Sequence, residues 1–282
     1  MSGQRHPAVV DHTLTRRRLL GLGAGLTGLT AVGLAGCSGL LPSPQEPMAN
    51  REQPRCVARS SLTSYRQVAD LPLVYEVTQR RTAFAAEPGF ADQLAAWLTD
   101  LRERTAWPLD QLWTYGTWTD GGTTCSSWHD AGRAFDLSRL RLDRRTFVSA
   151  RYDQWRERSG AQLRTARRSY WAVAASAHKH FAYVLTYLYN AQHHNHIHVD
   201  NGRSGPALST FSSRSAAQVQ AVQGICSHLW DSPVEITGSW NGPTRDAVRQ
   251  VLDGLDVGDD LTDRPTWTAF LDASTRRGAD PA

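Results

Sequence analysis

The stretch His196-Ile197-His198-Val199-Asp200 constrains the fold more than any other part of the chain. Successive side chains of a strand point to opposite faces. An extended backbone here turns Ile197 and Val199 toward a core and aims His196 and His198 together into a pocket. The run that contains this strand, residues 193–198, holds four of the chain's ten histidines in six positions. Imidazole titrates near neutral pH and is the commonest metal ligand. So dense a run therefore reads as a metal and proton-transfer site.

A partner for it lies upstream in "CSSWHDAGRAFDLS", Cys125 to Ser138. His129 precedes Asp136 by seven residues, with Gly132 between them where the chain must turn back. Such a turn brings one nitrogen and one oxygen to a zinc ion. Taken alone, the pair also fits a loop histidine and a capping aspartate. Combined with the HxH strand it supplies three zinc ligands and an open fourth position, the arrangement of a catalytic site. Zinc acidifies the water in that position to a pKa of about 7. One histidine is then left over for proton transfer.

The surroundings of these motifs alternate between strand and helix patterns. "LPLVYEV" (71–77) and "QLWTYGTWT" (111–119) read as strands, and "DGGTT" (120–124) as a turn. Phe90, Leu94, Trp97, Leu98 and Leu101 follow a Pro-Gly start at helical spacing. A second long helix is expected over "RRSYWAVAASAHKHFAYVLTYL" (167–188), where His178 and His180 take core or surface duty. Residues 201–215 are rich in Gly and Ser and read as a linker. Beyond it two helical patterns appear, Val219 to Leu229 and Ala247 to Leu255, separated by "GSWNGPT", which suits a helix start.

The N-terminus carries targeting information. Arg16, Arg17 and Arg18 precede a mild apolar stretch, Leu19–Gly36, that is diluted by glycines. A membrane span needs about 20 strongly apolar residues, so this one reads as an export signal. Thr15-Arg16-Arg17-Arg18-Leu19-Leu20 resembles a twin-arginine signal. Leu34-Ala35-Gly36-Cys37 resembles a bacterial lipobox, which implies a lipid on Cys37 and a membrane anchor. Residues 1–37 are then the signal peptide, and 38–60, with four prolines, a flexible tether. Of the formal net charge of +4, the leader holds +3 (Arg5, Arg16, Arg17 and Arg18 against Asp11). The remainder, about +1, gives no case for nucleic-acid binding. Export makes a disulfide plausible among Cys56, Cys125 and Cys226, with Cys56–Cys125 the expected pair.

Ser127-x-His129-x-x-Gly132-x-Ala134-x-Asp136 followed by His196-x-His198 resembles the zinc D-Ala-D-Ala carboxypeptidase and endopeptidase clan, which includes lysostaphin-type and Hedgehog-fold enzymes. Within it, the segment running Tyr189-Asn190-x-x-His193-x-x-His196-x-His198-x-Asp200 is most similar to the extensin-like C-terminal domain. The resemblance covers roughly residues 60–200. It implies an α+β fold, a Hedgehog/DD-peptidase-like antiparallel sheet with helices, over residues 61–203. It implies Zn2+ on His129, Asp136 and His198, with His196 as catalytic base and His193 stabilising the transition state. Strict strand alternation would align His194 with His196 and His198, whereas the family pattern selects His193. Many members carry an arginine on the strand before the Ser-x-His motif. Here that strand has none, and Arg133 and Arg139 are the nearest substitutes.

The tail, residues 215–275, resembles a small peptidoglycan-binding domain of three helices, on "GSWNGPT", Ala247-Val248, Thr266-Trp267 and Leu271. The alternative is a helical cap on the larger domain. Together these resemblances imply a zinc metallopeptidase, lipid-anchored at the outer face of the cell membrane, that acts on peptide bonds of peptidoglycan. A peptidoglycan-binding scaffold without activity is the rival reading, and zinc capture by exposed histidines a weaker one.

Overall fold

The computed structural model describes residues 53–122, 124–202 and 205–280. The signal peptide, Cys37 and residues 38–52 of the tether lie outside the described residues. The elements are β1 (Thr63–Tyr65), β2 (Gln67–Val68), β3 (Leu71–Tyr75), β4 (Arg80–Arg81), β5 (Phe84–Ala86), α1 (Pro88–Thr105), β6 (Gln111–Gly116), β7 (Ala134–Leu142) and β8 (Arg145–Ser149). There follow α2 (Tyr152–Trp155), α3 (Gly160–His180), β9 (Tyr183–Leu185), β10 (Ile197–Asp200), α4 (Ala216–Leu229), α5 (Gly242–Leu255) and α6 (Arg264–Ala279).

The architecture is α+β. The main sheet runs β2-β3-β6-β7-β10-β9, with β4 on β3 and β8 on β7, and every pairing is antiparallel except β3 with β6. Helices cover one face. α1 begins where Pro88 fixes the first turn and Glu87 accepts hydrogen bonds from the backbone N–H groups of Gly89 and Phe90. Its expected stripe, Phe90, Leu94, Trp97, Leu98 and Leu101, is fully buried. Each such side chain contributes about 1.5–3 kcal/mol by leaving water. Ile197 and Val199 of β10 point into the same core, as do Phe135, Leu137 and Leu140 of β7.

Two expectations are corrected. The helix read as continuing to residue 188 ends at His180, with Phe181 extended at its C-cap. Tyr183-Val184-Leu185 instead forms β9, an edge strand paired with β10. Its β-branched and aromatic residues suit a pleated surface, and β10 provides a partner that periodicity could not reveal. The Gly/Ser stretch is also more than a linker: Ser209 and Phe211 are buried, and Phe211 packs on Trp240 and Trp267.

The tail forms three helices, and they share one hydrophobic core with the sheet domain. α6 lies along α3, approaching so closely at Gly278 that a Cβ there would stand 2.8 Å from Ala172 Cβ. Lys179 of α3 sits 2.9 Å from Asp100 of α1 and 3.0 Å from Asp272 of α6, and Arg104 reaches both carboxylates at 2.8 and 2.9 Å. Trp267 is fully buried, and its indole donates to Ser209.

Candidate metal centre

The sheet places the two motifs edge to edge. β10 pairs antiparallel with β7 so that His198 stands directly opposite Asp136. Directly paired residues face the same side, here the side away from the helices. His129 arrives from the 3₁₀ turn Trp128–Ala131. Ser127 Oγ accepts from the His129 N–H, and Asp130 Oδ2 accepts from the Ser127 N–H in return, forming a capping box. Gly132 then reverses the chain into β7 with φ +65°, and a Cβ there would stand 2.8 Å from Leu62. A side chain at this position would be strained by the backbone conformation and would need Leu62 to shift. The expected disulfide, Cys56–Cys125, is present two residues before Ser127 and ties this loop to the C-terminal part of the 38–60 segment.

Three atoms converge. His129 Nε2 is 3.2 Å from Asp136 Oδ1 and 3.3 Å from His198 Nδ1, and His198 Nδ1 is 3.0 Å from Asp136 Oδ1. The partners on the far side of each ring fix the tautomers. His129 Nδ1 faces the Thr117 carbonyl at 3.0 Å and must donate to it. His198 Nε2 faces the Asp200 carboxylate at 3.1 Å and donates there. With those protons assigned, the neutral rings turn lone pairs inward, toward a carboxylate that also only accepts. Such a set repels itself unless a cation lies within it. Zinc–ligand bonds of 2.0–2.2 Å arranged tetrahedrally would set ligand atoms about 3.3–3.6 Å apart, slightly wider than the 3.0–3.3 Å seen here. The outer hydrogen bonds to a carbonyl and a carboxylate are those that metal-binding histidines use.

Electrostatics agree. Burial alone would push Asp136 up, but hydrogen bonds with His129 and His198 outweigh it and hold the carboxyl well below its usual range. Burial disfavours the charged form of His198, yet Asp136 and Asp200 on its two nitrogens raise it to about 10. Without a metal, the proton on His198 is the cation that keeps the site together.

His196 and His193 stand beside this trio. His196 is the extended residue just before β10, and its Nε2 is 3.3 Å from Asp136 Oδ1. His193 comes in from the 3₁₀ turn Ala191–Asn195, its ring 5.0 Å from that of His196. Strand alternation therefore does not extend upstream of His196. His194 turns away and packs edge-on against Tyr152, which resolves the choice in favour of His193. Both site-facing rings are anchored by asparagines: His193 Nδ1 lies 2.7 Å from Asn190 Oδ1, and His196 Nδ1 2.6 Å from Asn195 Oδ1. Asn190 Oδ1 also accepts from the Gln192 N–H, which fixes that amide's orientation. Burial lowers His193 to about 3, helped by repulsion from His198 and His196. Burial lowers His196 to about 4 although Asp136 pulls the other way. Both rings are neutral at pH 7 and present an Nε2 lone pair. That suits a base at His196. For His193 it makes the resting ring an acceptor toward the cleft.

The sequence reading missed Thr117 and Asn195, and had Asn190 and Asp200 only as members of the family pattern, without their supporting roles. It also missed Tyr115. That residue is the extra one in a bulge where β6 meets β7 beside Asp136, and its ring sits 6.1 Å from that of His196. Bulges of this kind re-aim a side chain. The period-two strand pattern alone does not show them. The substitute arginines are engaged elsewhere. Arg133 stacks over Trp128 at 4.6 Å and bonds Asn201. Arg139 pairs with Glu76, which also holds Arg151. The remaining histidines of α3 serve the core: His180 pairs with Asp100, and His178 is fully buried.

Residues 47–209 match the family model for the extensin-like protein C-terminus. The match spans more than half of the chain, which belongs to that family. No curated protein and no solved structure matches the chain. Among the described residues no helix is long and apolar enough to cross a membrane.

Proposed function

We propose that the protein is a zinc-dependent peptidase of the D-Ala-D-Ala carboxypeptidase and endopeptidase clan, acting on peptide bonds of peptidoglycan stem peptides or cross-links. The observation that carries this reading is the convergence of three potential metal-ligand atoms, on His129, Asp136 and His198, with two neutral histidines beside them in one open cleft. Those three residues would hold the zinc, which when bound supplies Lewis acidity toward a carbonyl and toward water. His196 takes the proton of the attacking water at Nε2 and passes it to the leaving amine. The Nδ1–H bond to Asn195 holds the ring in the tautomer this needs. His193 presents its Nε2 to the cleft beside His196 and can accept a hydrogen bond there from water or substrate. Asp200 orients His198, and the Thr117 carbonyl orients His129.

The leader supports export and anchoring through a lipid on Cys37, which would hold the cleft at the outer face of the membrane. Peptidoglycan lies there. The likeness of the tail to a peptidoglycan-binding domain would add a second wall contact. Its packing on α3 makes it in that case a fixed part of the same body.

A scaffold without activity is the second reading, favoured by the cleft lining, in which no arginine stands among the described residues. One experiment separates the two. The full-length protein in detergent, with zinc, is incubated with purified cross-linked muropeptides beside a His196→Ala variant, and the products are weighed by mass spectrometry. A defined loss or split that vanishes in the variant supports the peptidase. Retention of muropeptide without cleavage supports the scaffold.

A further inference from the structure

The tautomers of His193 and His196 have a consequence beyond catalysis. Each ring spends its Nδ1 proton on an asparagine oxygen, at 2.7 and 2.6 Å. Each therefore turns a lone pair into the cleft. The rings are 5.0 Å apart, and one ligand atom from each of His193, His196 and His198 falls within 4.8 Å of the others. His198 is shared between this group and the group with His129 and Asp136. Its Nδ1 faces the first trio and its Nε2 is bound to Asp200. An ion in the first position thus leaves His193 and His196 as a pair of preset imidazole donors. Imidazole pairs suit borderline ions such as Zn2+, Ni2+ and Cu2+.

We propose that His193 and His196 form a second, weaker divalent-metal position beside the first, filled when zinc is in excess. Metal there occupies the lone pair that His196 needs as a base, so excess zinc inhibits. Two protein ligands against three set the order of affinity. The inference rests on the zinc reading of the first position.

The test is calorimetric titration of Zn2+ into chelator-stripped full-length protein in detergent. Two events are expected, the second at least about tenfold weaker. In a His193→Gln variant the first event should persist within about threefold and the second should vanish. A His196→Gln variant should behave alike, which guards against misfolding of either one. A single event in the unaltered protein, or a second event that survives both substitutions, overturns the second position. Absence of a tight event in the unaltered protein, or a tight event that survives His129→Ala, overturns the zinc reading itself.

Discussion

Two buried histidines, twenty residues apart in sequence, mark the contrast between the cleft face of the sheet and the helical seam behind it. His198 on β10 has an acidic partner on each ring nitrogen, and those partners hold it protonated up to about pH 10. His178 on α3 is also buried, but neither of its ring nitrogens has a hydrogen-bond partner among the described residues, and burial lowers it to about 3. The first region spends burial on convergent polar atoms that only a cation reconciles. The second packs an imidazole as if it were a hydrocarbon, against Trp267. Burial of a titratable group therefore does not mark a site by itself. The direction of its partners does.

The sharpest way to break the contrast is His198→Ala. It leaves Asp136 and Asp200 buried without the ring between them. Removing one partner of a buried charge pair costs about 3–5 kcal/mol. Denaturant unfolding in chelator should show that loss, and stoichiometric zinc binding should disappear. Next in size is the clip at the cleft's rim. Cys56→Ser should cost about 2–4 kcal/mol by the same measurement, because it opens a long covalent loop. Asp200→Asn sharpens the claim that the far-side partner matters. Zinc affinity should fall about 10–100-fold in a chelator competition, since the outer carboxylate no longer orients the ring.

The smallest effect belongs to the seam. His178→Leu removes two unpartnered buried nitrogens and should be neutral or stabilise by about 1 kcal/mol. It should also flatten the acid limb. A histidine lowered from 6.5 to about 3 binds its proton first in the unfolded chain. Stability therefore falls as pH drops from about 6.5 toward 3 and rises again with pH across that window. His198 has the opposite sign: its contribution without metal is full below pH 6.5 and lost as pH climbs through about 10.

Much of the cleft was legible in the sequence because strand alternation is rigid. His196-Ile197-His198-Val199 admits few other arrangements, and Gly132 announces the turn between His129 and Asp136. What stayed hidden depends on pairing. The strand β7, which carries Asp136, is flagged by no two-residue turn on its site side. β9 looked helical because Ala182 to Leu188 continue an apolar run whose partner, β10, begins a dozen residues later. His194 and His193 could not be separated by alternation, since a 3₁₀ turn, set by Asn190 as its cap, intervenes. Two of the tail's three helices, α4 and α5, were visible from their spacing, and the third only through the resemblance to a three-helix domain. That Trp267 and Phe270 would be spent on packing against the larger domain was not, because a buried stripe does not name the surface that covers it.

The most direct test of the central claim is anomalous diffraction at the zinc edge from crystals of the protein loaded with one equivalent of zinc. The account predicts a single ion bonded by His129 Nε2, Asp136 Oδ1 and His198 Nδ1 at about 2.0–2.2 Å, with a fourth position open to the cleft. An ion held elsewhere, or a cleft that takes up none while the three side chains keep their positions, would contradict it.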